Sequence, residues 1–171
     1  ATASTQTIEW CVEQKVHVVV GTTGLDPEWL EAEGERAAAN GTGVLVAANF
    51  AIGAVLMMRL SEIAAPFFDS VEIIEEHHDL KKDAPSGTAL VTAQRIASAS
   101  NEWGSDPTEI EVLSGARGAL TSDGIPIHSL RVRGLVAHQE VVFGTAGQTL
   151  RIRHDSLDRA SFMPGVVRAA K

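Results

Sequence analysis

Between Glu76 and Thr88 the chain gathers side chains that can move protons and hold negative charge. Glu76-His77-His78 is followed closely by Lys81-Lys82-Asp83-Ala84-Pro85-Ser86-Gly87-Thr88. An imidazole titrates near neutrality and exchanges protons under working conditions. A lysine ammonium supplies positive charge to a carboxylate. Ser86, directly after a proline, is suited to cap a helix, and a helix start offers backbone N–H groups to an anion. Taken alone, Pro85-Ser86-Gly87 reads equally well as an ordinary turn and N-cap. Together the three parts suit an anionic substrate that must accept or lose a proton.

A metal centre is the competing use of His77 and His78, with Glu76 and Asp83 as further ligands. Neighbours on a strand point to opposite faces, which suits a single ion poorly, and two adjacent lysines repel a divalent cation. The expectation is no metal. A buried structural role for one of the two histidines stays open.

These residues need elements to position them. Thr5 to Gln14 has Ile8, Cys11 and Val12 at helical spacing, and Val16 to Val20 reads as a buried strand ending at Gly21. Asp26-Pro27-Glu28 is an N-cap, a first-turn proline and an acidic first turn, starting a helix that Asn40-Gly41 closes near Ala39. Val44 to Ala47 is a second buried strand, and a long helix is expected from about Ile52 to Phe68. That rhythm predicts a parallel sheet flanked by helices. Val71 to Glu76 is a third strand and delivers the histidines to its carboxyl end, where open α/β sheets place ligands. Ser86 then caps a helix to about Glu102.

Beyond Glu102 the pattern changes to short alternating strands: Glu109 to Leu113, Ile127 to Arg133, Gln139 to Phe143 and Thr149 to Arg153. They predict a mixed or antiparallel sheet, followed by a helical stretch from near Arg159. Alternation puts Glu109 with Glu111, Arg131 with Arg133, and Arg151 with Arg153 on common strand faces. Cross-strand ion pairing on a solvated face is the favoured reading, with a subunit interface or an anion site as the other.

At 171 residues the chain can bury a sizeable core, and 44% hydrophobic with 21% charged residues is ordinary for a globular protein. The formal net charge of −8 argues against nucleic acid or an anionic membrane as partner, since both need a basic face. Cys11 stands alone, so neither an internal disulfide nor a cysteine zinc site is expected, and a cytoplasmic setting is the simplest reading. Phe50 to Met58 is too short an apolar run to span a bilayer.

The run Glu76-His77-His78, Lys81, Asp83-Ala84-Pro85-Ser86-Gly87-Thr88-Ala89 closely resembles the signature of the dihydrodipicolinate reductases, also called 4-hydroxy-tetrahydrodipicolinate reductases. The resemblance continues through Gly21-Thr22-Thr23-Gly24, Ala47-Ala48-Asn49-Phe50, Gly115-Ala116-Arg117-Gly118 and Asp123 to His128. It also takes in Val136 to Glu140, Phe143-Gly144-Thr145, Arg153 to Ser156 and Ser161-Phe162. Nearly the whole chain is covered, and the detail looks most like actinobacterial members.

The resemblance implies an α/β fold. A partial Rossmann-type parallel-sheet domain would occupy residues 1–50 and an α+β substrate and oligomerisation domain with a mixed four-stranded sheet residues 51–156. Residues 157–171 would return towards the dinucleotide domain. It implies reduction of a cyclic imine dicarboxylate with NADH or NADPH, in diaminopimelate and lysine biosynthesis, by a homotetramer assembled through the C-terminal sheet. By resemblance, His77 is the proton donor/acceptor and Lys81 a second proton donor. His78, Lys81, Ser86, Gly87 and Thr88 bind substrate. Gly21, Thr22 and Thr23, with Ala47, Ala48, Asn49 and Phe50, contact the cofactor, although a GTTG sequence alone is more often a strand-to-helix turn.

The family's opening G-x-G-x-x-G fingerprint has no counterpart here; Gly41-Thr42-Gly43 runs into a strand rather than a helix. The chain therefore reads as truncated at both ends, or as the visible part of something longer. The alternative to a working reductase is a catalytically poor module that binds pyridine dicarboxylates and oligomerises. Asp79, between the histidines and Lys81, is either an electrostatic partner for a histidine or, the favoured reading, an exposed loop residue.

Overall fold

The computed structural model describes residues 2–104 and 106–171. The elements run α1 (Thr2–Glu13), β1 (Val18–Val20), α2 (Pro27–Ala39), β2 (Val44–Val46), α3 (Ile52–Ala64), β3 (Ser70–His77) and α4 (Gly87–Ala99). They continue with β4 (Ala119–Leu120), β5 (Pro126–Arg131), β6 (Ala137–Thr145), β7 (Gln148–Ser156) and α5 (Met163–Ala169). Two compact units result: Ala1–Phe50 with Phe162–Lys171, and Ala51–Ser161. No helix among the described residues is long and apolar enough to cross a membrane.

In the first unit, Ile8 and Val12 lie one helical turn apart and are buried, together with Val20 of β1 and Ala37 of α2. Asp26 caps α2, its Oδ1 accepting from the Trp29 N–H at 2.8 Å, with Pro27 in the first turn. Asn40 closes the helix, and Gly41 takes the left-handed φ of +71° that favours glycine there. β1 and β2 pair in parallel, Val18 opposite Val44 and Val20 opposite Val46.

In the second unit, α3 ends at Ala64, short of the expected Phe68, and continues as a 3-10 turn over Ala65–Phe67. Pro66 accounts for the change, having no N–H to continue the α-helical ladder. The sheet runs β4-β5-β3-β6-β7. Central β3 is parallel to β5 and antiparallel to β6, so the sheet is mixed, with four long strands and a two-residue edge. One face carries Val71, Ile73, Val141, Phe143 and Ile127, packed with Ala89, Ala93 and Ile96 of α4. The other carries ion pairs: Arg151 to Glu140 at 2.9 Å and Arg153 to Glu76 at 2.8 Å.

Two expectations are corrected. Glu109 to Leu113 forms no strand. The Glu111 carboxylate instead accepts the backbone N–H groups of Gly115 and Arg117 at 3.0 and 3.1 Å, which fixes a loop. Arg131 does not join the ion pairs of the charged face, because parallel pairing sets it opposite His77 at the end of β3.

Candidate functional site

The site in the second unit is built on the inward phase of β3. Val71, Ile73 and Glu75 alternate towards the core, so a carboxylate occupies a position the strand otherwise gives to apolar side chains, at 0% exposure. An isolated buried charge is costly, and Glu75 is compensated on every side. Its Oε1 accepts from Arg131 Nη2 at 2.9 Å and from the Ser86 N–H at 3.3 Å. Its Oε2 accepts from Arg131 Nη1 at 3.0 Å and lies 2.5 Å from His77 Nδ1. Burial by itself pushes the carboxyl upward; hydrogen bonds from His77, Arg131 and Ser129 outweigh it and hold Glu75 at about 2.

Ser86 and Lys81 are tied to the same centre. The Ser86 hydroxyl caps α4, accepting from the Ala89 N–H at 3.2 Å. Arg131 also donates to the Asp83 carbonyl at 2.7 Å, and the Asp83 carboxylate accepts from Lys81 Nζ at 2.6 Å. That ammonium holds the Asp83 carboxyl below its ordinary value. The structure thus links His77, Lys81 and Ser86 through Glu75, Arg131 and Asp83. Gly87 and Thr88 form the first turn of α4, one side of the same segment, and both are partly buried. His78 follows β3 and is partly buried, with its carbonyl accepting from the Lys81 N–H at 3.2 Å. Lys82 is exposed, and Asp79 is an exposed loop residue paired with Arg133 at 2.9 Å. Among the described residues, no three of His, Cys, Asp and Glu converge as a metal site.

Sequence reading missed Glu75 and the use of Arg131. The signal for Glu75 was present, as a charged residue in phase with Val71 and Ile73. Behind it, Gln139 of β6, opposite Glu75, donates to the Thr92 hydroxyl of α4 at 2.8 Å and bridges sheet and helix.

In the first unit, Gly21, Thr22 and Thr23 leave β1 while Ala47, Ala48, Asn49 and Phe50 leave β2. Parallel pairing brings both loops to one end of the strands, joined by the Ala47 N–H donating to the Val20 carbonyl at 3.0 Å. A Cβ at Gly21 would meet the Phe50 ring at 3.3 Å, so the two loops touch and glycine keeps the cradle open. Gly165 of α5 packs against the Phe50 backbone so closely that any side chain there would collide with it.

A parallel β–α unit with paired loops at its strand ends, and a mixed-sheet unit with a histidine–lysine–helix-start site, define a two-unit α/β protein of dinucleotide-enzyme type. Comparison with known proteins agrees. Residues 1–50 match the family model described as "Dihydrodipicolinate reductase, N-terminus", and residues 53–171 the one described as "Dihydrodipicolinate reductase, C-terminus". The 4-hydroxy-tetrahydrodipicolinate reductase of Nocardia farcinica is 59% identical over 165 residues, covering 94% of this chain and 66% of the relative. That of Streptomyces avermitilis is 51% identical over 168 residues, covering 96% and 67%. A solved structure, "Dipicolinate bound Dihydrodipicolinate reductase from Paenisporosarcina sp. TG-14", superposes with a TM-score of 0.79 at 51% identity, covering 96% of this chain and 62% of that one. The chain belongs to the dihydrodipicolinate reductase family. It spans about two thirds of the length of these relatives.

Proposed function

We propose that this chain carries the dicarboxylate-binding and proton-transfer residues for NADH- or NADPH-dependent reduction of 4-hydroxy-tetrahydrodipicolinate to tetrahydrodipicolinate, a step of diaminopimelate and lysine biosynthesis. The observation that carries the reading is that His77 and the Ser86-capped start of α4 meet at buried Glu75, with Lys81 linked to the same Arg131 through Asp83. The relative that bears dipicolinate, a planar analogue of the substrate ring, supports a cyclic dicarboxylate as ligand.

In this reading the Gly87 and Thr88 end of α4 receives one carboxylate at the positive pole of the helix. His78 adds a substrate contact; Lys81, paired with Asp83 here, would turn its ammonium to pair with a substrate carboxylate and serve as a second proton donor to the reacting ring. His77 delivers and recovers the proton as the ring is reduced and the hydroxyl departs as water. Bound NADH or NADPH would supply the hydride. The paired loops of Gly21 to Thr23 and Ala47 to Phe50 fit such a cofactor, since glycine at 21 leaves backbone accessible beside the Phe50 ring.

The reading extends to a cytoplasmic homotetramer assembled through the C-terminal sheet. It is supported by the charged face of β6 and β7. The test of function is nicotinamide oxidation with enzymatically generated substrate, by the chain itself and by a fusion to a relative's glycine-rich N-terminal segment. Substrate-dependent oxidation by either form supports a reductase. Dicarboxylate binding without oxidation in both would leave the binding-module alternative in its place.

A further inference from the structure

Glu75 is a fully buried carboxylate that the reaction scheme above does not use. Its four nearest donors leave little to chance. Arg131 grips both oxygens, the Ser86 N–H reaches Oε1 and His77 Nδ1 reaches Oε2. Paired with a guanidinium and a helix-start N–H, this carboxyl is ionised throughout the neutral range. An ionised carboxylate only accepts hydrogen bonds. The hydrogen between Glu75 and His77 therefore sits on Nδ1, and neutral His77 presents a lone pair at Nε2.

We propose that Glu75, clamped by Arg131, is a positioning residue that fixes His77 as its Nδ1–H tautomer and so reserves Nε2 for proton exchange with the substrate. The proposal rests on the reading of His77 as the proton-transfer residue and deepens it. The arrangement uses three elements at once. β3 carries both Glu75 and His77 on one face, parallel β5 brings Arg131 opposite His77, and the N-cap of α4 supplies the last N–H. The Arg131 contact to the Asp83 carbonyl extends the clamp to the loop that holds Lys81. His77 is thereby set directly against this anion, and Lys81 is tied to it indirectly, through Asp83 and Arg131.

The test is the tautomer itself, read by 15N NMR on protein labelled at histidine, with the His77 signal assigned by its loss in His77→Gln. Neutral His77 should show the Nδ1–H pattern in the unaltered protein and in Arg131→Lys, which keeps a cation beside Glu75. Glu75→Gln, whose amide can donate to Nδ1, should shift it to the Nε2–H pattern. In the reductase assay Glu75→Gln should lower kcat about 100-fold while KM stays within about threefold, the size expected for losing one positioned acid–base group. An Nε2–H pattern in the unaltered protein overturns the proposal, as does a Glu75→Gln protein that keeps either the Nδ1–H pattern or its kcat. If Glu75→Gln does not fold, the unaltered protein's spectrum decides. Failure of both the chain and its fusion to a glycine-rich N-terminal segment to turn over would sink the proposed reaction, while the tautomer result would stand or fall separately.

Discussion

Lys81 and Glu75 are the residues whose replacement separates binding from scaffolding. Lys81→Ala removes an ammonium that pairs with an exposed carboxylate, so the fold loses little, while on the proposed reading the substrate carboxylate loses a charge-assisted partner. Turnover should fall at least about tenfold, with circular dichroism unchanged. Glu75 predicts a pH dependence of stability. Its carboxyl is depressed from 4.5 to about 2, so its contribution is complete above the unfolded value and is lost as pH falls through the folded one. Acid unfolding should therefore steepen below about pH 4.5 in the unaltered protein, and Glu75→Gln should show a shallower slope, lacking the share that Glu75 contributes. At this scale residue type and local spacing singled out His77, Lys81 and Ser86 as candidates, and the structure links them through Glu75, Arg131 and Asp83. The sequence hid the Arg131 contact, because a partner some fifty residues away is chosen by strand register.

The elements that hold these residues were legible where their signals are local. The Asp26 and Ser86 caps form as their types require, each accepting from the N–H three residues on. Ser86→Ala should cost about 1 kcal/mol from the lost cap, seen as a lower urea midpoint with an unchanged slope. The proposed substrate binding should suffer beyond that, since in the proposed reading the first turn of α4 receives a substrate carboxylate. Signals that depend on partners misled. Glu109 to Leu113 alternates like a strand, yet neighbouring N–H groups of Gly115 and Arg117 capture Glu111 and leave a loop. The short β4, only Ala119–Leu120, gives no periodic signal and exists by pairing with β5.

For the whole molecule, the change from a parallel to a mixed sheet was visible as a change from wholly apolar strands alternating with helices to strands of alternating polar and apolar residues. The strand order was not, since β3 pairs with β5 across the intervening α4, a loop and β4. The charged outer face of β6 and β7 reads as a solvated ladder within one chain, and the proposed tetramer gives it a partner. Light scattering should return four times the chain mass of 18.1 kDa, and a monomer would contradict that assembly. The central claim is that His77 moves the proton, and turnover in His77→Gln tests it most directly. In a form of the protein that oxidises nicotinamide with substrate, the substitution should lower kcat by about 100-fold or more while the fold and dipicolinate binding persist. Near-native turnover by folded His77→Gln would contradict the account.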